Sequence, residues 1–141
     1  MPLLNYTTKI DSDRTIEQIQ KILIKHGANS ILTNYDSNGQ PISLSFKAIT
    51  PQGEFGYKLP VYPDKVQIVL QKQRVRVSDI QAMRIAWRIV KDWVEAQMAI
   101  LETEMVTMDQ IFLPYMLTQN GQTLYQQLVN SKFQLHEGQE S

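Results

Sequence analysis

Apolar positions along this chain change period three times, and each change marks a boundary. Residues 3–10, LLNYTTKI, read as a short strand, and Asp11-Ser12-Asp13 reads as a turn. Thr15 then stands three residues before Gln18, the spacing of a capping box. Ile16, Ile19, Ile22 and Leu23 fall on one helical face, and Gly27 after His26 is a stop signal, so a helix is predicted at about 15–26. From residue 31 the period becomes two. Ile31, Thr33 and Tyr35 alternate with Leu32 and Asn34, and Ser37-Asn38-Gly39 turns the chain. Ile42, Leu44, Phe46 and Ala48 then alternate with Ser43, Ser45 and Lys47. After a second turn at Thr50-Pro51-Gln52-Gly53, residues Phe55, Tyr57 and Leu59 point one way. Together with residues 3–10 these strands predict a four-stranded, mostly antiparallel sheet in the order β-α-β-β-β, with one apolar face that a second layer must cover.

Beyond residue 62 the period is helical. Pro63 and Asp64 open a helix at about 63–72, with proline near its first position. The segment 71–77 is a loop or a short extra strand. Ser78 with Gln81, and Thr107 with Gln110, repeat the capping-box spacing, so helices begin near 79 and 108. Pro114 limits or kinks the second of these, Asn120-Gly121 breaks the chain, and a last helix is expected at about 122–131. The reading is a single α+β domain over 1–133, its sheet part at 1–62 and its helical part at 63–133, with a disordered tail at 134–141.

The segment 79–105 carries more apolar surface than one contact needs. Ile80, Met83, Trp87, Val90, Val94, Met98, Leu101 and Met105 form one stripe. Ala82, Ile85, Ala86, Ile89, Trp93, Ala96 and Ile100 form a second beside it, and together they span roughly 220°, about twice the arc of an ordinary surface helix. One side can cover the sheet. The other requires either a second subunit, giving a homodimer or larger homo-oligomer through 79–105, or residues 111–129 folded back on it. The oligomer is the expectation.

Composition narrows the classes. At 141 residues the chain can bury a core without staples, and it has no cysteine for disulfides, thiol catalysis or thiolate metal sites. Residues 1–10 lack the pattern of a signal peptide, and no stretch approaches the ~20 apolar residues of a membrane span, so a soluble, cytoplasmic protein is expected. Net charge is zero but unevenly placed. Between Asp64 and Lys91 seven basic residues face Asp64 and Asp79; between Asp92 and Asp109 five acids face no base. Basic-then-acidic order opposes the helix dipole. Anion binding near 72–91, or pairing between antiparallel subunits, would account for it.

Candidate chemistry follows that charge. Arg84 and Arg88 share a helix face, and Arg74 and Arg76 would share one in an extended segment; Lys72 and Lys91 can join them. Guanidinium forks suit phosphates, and Tyr57, Tyr62, Trp87 and Trp93 offer rings for a base. The plainer reading pairs Arg88 with Asp92 and Lys91 with Glu95 on a solvated face. Phe112-Leu113-Pro114-Tyr115-Met116 can line a pocket or simply pack a helix kink. His26 and His136 have no nucleophile or ligand set beside them, His26 suiting a helix C-terminus, and neither GxGxxG nor GxxxxGK[ST] occurs. No catalytic group, metal or cofactor is implied.

Three segments carry a resemblance: Asn5-Tyr-Thr-Thr8 with His26-Gly-Ala28, Ala86-Trp-Arg-Ile-Val-Lys-Asp-Trp93 with Glu95-Ala-Gln97, and Phe112-Leu-Pro-Tyr-Met116. They resemble a family of small proteins of phages and mobile elements, across most of residues 5–130, which implies a phage or prophage origin. The plan of a sheet followed by interface-forming helices, with Arg84 and Arg88 one turn apart, looks like the phage sponges that block Thoeris immunity. Those proteins sequester cyclic ADP-ribose isomers made by TIR enzymes, and related sponges hold cyclic oligonucleotides. The resemblance implies a non-enzymatic protein of the host cytoplasm that binds a nucleotide-like signal, with Arg84 and Arg88 as matching contacts; the reading of charge and rings adds Arg74, Arg76, Lys91 and Tyr57. Two other expectations stand beside it: a nucleic-acid-binding accessory protein of phage replication or recombination, and a protein–protein inhibitor of a host factor.

Overall fold

The structure is a computed structural model and describes residues 2–134. In chain order it contains α1 (Ser12–Lys25), β1 (Ala28–Tyr35), β2 (Pro41–Thr50), β3 (Gly53–Lys58), α2 (Pro63–Lys72), α3 (Asp79–Glu102), α4 (Met108–Phe112), a 3-10 turn (Leu113–Tyr115) and α5 (Leu124–Asn130). The fold is α+β. Its sheet is an antiparallel meander in the order β1-β2-β3, so the expected fourth strand is absent.

The meander follows the period-two pattern. Phe46 stands opposite Ile31 on one side and Tyr57 on the other, which aligns one apolar row across all three strands. The first turn needs Gly39 at φ +78°, and Asp36 secures it by accepting from the backbone N–H groups of Asn38 and Gln40. Helices α1 and α3 cover the apolar face with Ile16, Ile19, Leu23, Ala82, Ile85 and Trp87, all buried. The Trp87 indole N–H donates to the Pro41 carbonyl at 3.2 Å, which satisfies its polar atom inside the core.

Residues 3–10 do not pair as a strand because side chains take up their backbone groups. Asn5 sits at φ 66°, and the local bonds Tyr6 N–H to Leu3 O and Thr8 N–H to Asn5 O coil the segment. The Gln81 amide donates to both Tyr6 O and Thr8 O, Gln73 accepts from Leu3 N–H, and Asn5 Nδ2 donates to Asp92. Backbone held this way has no need of a sheet edge. The edge of β3 is met instead by residues 116–117: Leu117 N–H donates to Gly56 O at 2.7 Å, and Tyr57 bridges Met116.

The Thr15–Gln18 spacing is not a cap. Helix α1 starts earlier, after Asp11, and Thr15 is fully buried within it. Thr15 Oγ1 and Gln18 Oε1 both accept from Arg88, at 3.3 and 2.6 Å. Ser78 does cap α3, accepting from Gln81 N–H. Gln110 closes the reciprocal bond at Thr107. Helix α5 is shorter than expected, beginning after Thr123 rather than at 122.

Most of both stripes of α3 finds cover within the chain. One faces α1 and the sheet. The other meets α2 and the returning segment 108–115, where Trp93 packs edge-on against Phe112 and Tyr115. The large apolar residues that α3 leaves exposed are Ile80 and Ile100, about 30 Å apart along its axis. Ala96 and Ala99 beside Ile100 are exposed as well, and Met105 just beyond the helix is 69% exposed.

The charge order on α3 also has an intramolecular reason. Helices α1 and α3 run parallel, so Arg84 meets Asp11 at 3.0 Å, Arg88 meets Thr15 and Gln18, and Glu102 meets His26 at 2.8 Å. The basic start and acidic end of α3 match the acidic start and basic end of α1. At the last of these contacts both imidazole nitrogens face oxygen acceptors, Ile22 O and Glu102 Oε2. The hydrogen bond from His26, and then its charge, lower the Glu102 carboxyl below its ordinary value. The expected tail lies, apart from Gln134, outside the described residues.

Candidate functional site

The sequence-predicted residues are placed at three separate locations. Arg84, Arg88 and Lys91 lie along α3 and already have partners: Asp11, the Thr15–Gln18 pair, and Glu95 with Asp92. The expected Arg88–Asp92 pair does not form, since Arg88 turns toward α1 and Asp92 accepts from Asn5. Arg84 does line a surface hollow of about 530 Å³, but Asp11 and Asp13 share that hollow and offset the charge of Arg84 and Arg14. Arg74 and Arg76 are in the loop between α2 and α3. Arg74 has φ 62°, so this stretch is not the extended segment that would set both arginines on one face.

Tyr57 is unsuited to stacking on a base. It is 0% exposed, enclosed by Phe46 and Phe112, with ring centroids 5.3 and 5.9 Å away. Among the described residues its hydroxyl has no hydrogen-bond partner. Burial, with a smaller contribution from the nearby Asp109 charge, pushes the phenol up to about 12. Trp87 is likewise fully buried.

A different set of rings does converge on open space. A cleft of about 640 Å³ is lined by Lys58, Pro60, Tyr62, Lys65, Pro114, Tyr115, Thr123, Tyr125 and Gln126. Its walls come from distant stretches of chain. The last residue of β3 supplies Lys58. The β3–α2 connection supplies Tyr62, and Pro63 at the start of α2 fixes the turn that presents Lys65. The pairing of Leu117 with Gly56 draws the 3-10 turn alongside, carrying Pro114 and Tyr115. A Cβ at Gly56 would make only ordinary van der Waals contact with the Leu117 side chain, at 3.6 Å, so the approach does not depend on the glycine. The bridge Leu117–Thr123 then turns the chain so that the capped start of α5 supplies Tyr125 and Gln126.

Tyr115 is held from behind by a chain of rings. It packs edge-on against Trp93 at 5.5 Å, Trp93 against Phe112 at 5.6 Å, and Phe112 against Phe46 at 5.5 Å, which ties the cleft wall to the sheet. Tyr62 and Tyr125 are about half exposed. Neither lysine has an ion-pair partner among the described residues, and no carboxylate or imidazole lines the cleft. A smaller hollow of about 180 Å³ shares Pro60, Tyr62 and Lys65 and is floored by Val66, Ala86, Ile89 and Val90.

The sequence held part of this site. Tyr62 stood out as a ring available for stacking, and Pro114-Tyr115 as a run able to line a pocket. Lys58 and Tyr125 carried no signal, and Lys65 only that of one charge in the basic segment, because the backbone pairing of residues 116–123 is what sets Tyr125 beside the lysines. Among the described residues no cluster of histidine and carboxylates could hold a metal ion, and no helix is long and apolar enough to cross a membrane. No family model, curated protein or solved structure matches this chain.

Proposed function

We propose that this chain is a non-enzymatic binding protein whose cleft holds an anionic, ring-bearing small molecule of nucleotide type. The observation that carries the reading is the lining: three tyrosines and two ion-pair-free lysines around about 640 Å³, with no acid among them. Tyrosine faces stack on a planar base, and ammonium groups at the rim take up phosphate charge. Proton transfer or metal-assisted chemistry draws no support from this lining. Sequestration needs only such contacts, so the reading is compatible with a phage protein that removes a cyclic nucleotide immune signal.

The site proposed here differs from Arg84 and Arg88. Those side chains serve the α1–α3 contact, whereas the charges of Lys58 and Lys65 are unspent. Titration calorimetry with ADP-ribose and cyclic dinucleotides, at fixed salt, tests this directly. Lys58→Ala with Lys65→Ala should weaken binding tenfold or more and leave the melting temperature within a few degrees. Affinity retained in that double variant but lost in Arg84→Ala/Arg88→Ala would move the site to α3. Binding of single-stranded DNA instead, falling steeply with salt, would favour the nucleic-acid role.

A further inference from the structure

The two edges of the sheet are treated differently. The β3 edge is met by residues 116–117. The β1 edge is open: among the described residues nothing but β2 pairs with it. Soluble proteins ordinarily blunt such an edge with a charge, a proline or a covering segment. Strand β1 reads ANSILTNY and has none of these; its register shifts lie near its ends, between Ala28 and Ser30 and between Asn34 and Tyr35, and leave residues 30–34 regular. The other two strands do carry charge, with Lys47 on β2 and Glu54 and Lys58 on β3. Leu32 and Tyr35 on β1 are 59% and 52% exposed.

An uncharged edge has one special property. When a strand pairs with its own copy about a two-fold axis, the residue on the axis faces its twin and its neighbours lie close to theirs, so a charge near the axis meets a like charge. A strand free of charge escapes that penalty. We infer that β1 is the interface at which two copies of this chain join, antiparallel, into one continuous sheet. A two-fold axis perpendicular to the sheet keeps the helical layers of both copies on one side. That symmetry requires residues facing each other across the axis to project from the same sheet face. The register that does this and stacks the most exposed apolar side chain of β1 sets Leu32 opposite its own copy. Ser30 then faces Asn34 of the second copy, and Ile31 faces its Thr33. The side chains that meet are apolar or hydrogen-bonding, and the edge N–H and C=O groups gain partners without moving either core.

This interface is separate from the cleft and does not depend on its ligand. Sedimentation velocity over a range of protein concentrations tests it, with two variants at the exposed Leu32. The wild type should sediment as a dimer at tens of micromolar. Leu32→Lys and Leu32→Asp should each sediment as monomers with unchanged circular dichroism, and their equimolar mixture should regain the dimer, since lysine then faces aspartate. Hydrogen exchange of the wild type gives a second readout: amides of β1 should exchange more slowly as concentration rises, with α5 as an unaffected reference. A wild type that stays monomeric at all concentrations, or a dimer indifferent to both charges at residue 32, would overturn the inference.

Discussion

At the scale of single residues, the polar groups of the core divide into those that found partners and one that did not. Thr15 and Trp87 are buried and bonded; the Tyr57 hydroxyl is buried and alone. Leaving a buried hydroxyl unpaired costs about 1–3 kcal/mol, so Tyr57→Phe should be neutral or stabilising by about 1 kcal/mol, read by urea unfolding. The same site gives a pH signature. The Tyr57 phenol is raised from 10.0 to about 12 in the folded protein. A raised value means that the stability it contributes is complete below pH 10 and is lost as pH climbs toward 12, because the unfolded chain releases its proton first. Wild type should therefore destabilise more steeply than Tyr57→Phe across pH 10–12. Equal slopes would show that the ring is not held as tightly as its enclosure by Phe46 and Phe112 implies. Arg88 illustrates the converse. Its spacing from Arg84 was legible, but not its destination, because Thr15 and Gln18 looked like a cap and are instead the acceptors that hold it.

At the scale of elements, local patterns were readable wherever local chemistry decides. The meander, α2 and the start of α3 obey period, proline position and capping, all of which operate within a few residues. Residues 3–10 failed because their conformation is set by Gln73, Gln81 and Asp92, some seventy or more positions away. A strand-like sequence takes whichever partner satisfies its backbone, and here amide side chains reached it. That makes Gln81 the fastening of the N-terminal segment. Gln81→Ala removes both hydrogen bonds to this segment, each worth about 1 kcal/mol, besides the long one that its Oε1 accepts from Arg84. Amides of residues 3–10 should then exchange roughly tenfold or more faster, while those of β2 keep their protection. If protection fell equally in both, the segment would be part of the cooperative core rather than a strap laid over it.

At the scale of the whole molecule, most of the excess apolar surface of α3 is used inside one chain, and this determines where the remaining freedom lies. Helix α2 and residues 108–115 cover most of the second stripe, and the core built with the sheet, α1 and α3 extends as far as Met116. Helix α5 adds no buried residue to that core. It hangs on the bridge from Leu117 to Thr123 and on the bond from Leu124 N–H to Met116 O, yet it forms one wall of the cleft. An element with few buried contacts opens at low free energy, and a ligand that touches both walls stabilises the closed form. A ligand at about a hundred times its dissociation constant adds about 2.7 kcal/mol to whatever it holds closed. Exchange of α5 amides should therefore slow up to about a hundredfold when the cleft is saturated, with β2 much less affected. A chain ending at Gly121 should keep its melting temperature within a few degrees and lose binding, because Tyr125 and Gln126 go while the core stays. If that shortened chain still bound its ligand at full affinity, α5 would be no part of the site. The wall would then have to be sought in the smaller hollow floored by Ile89 and Val90.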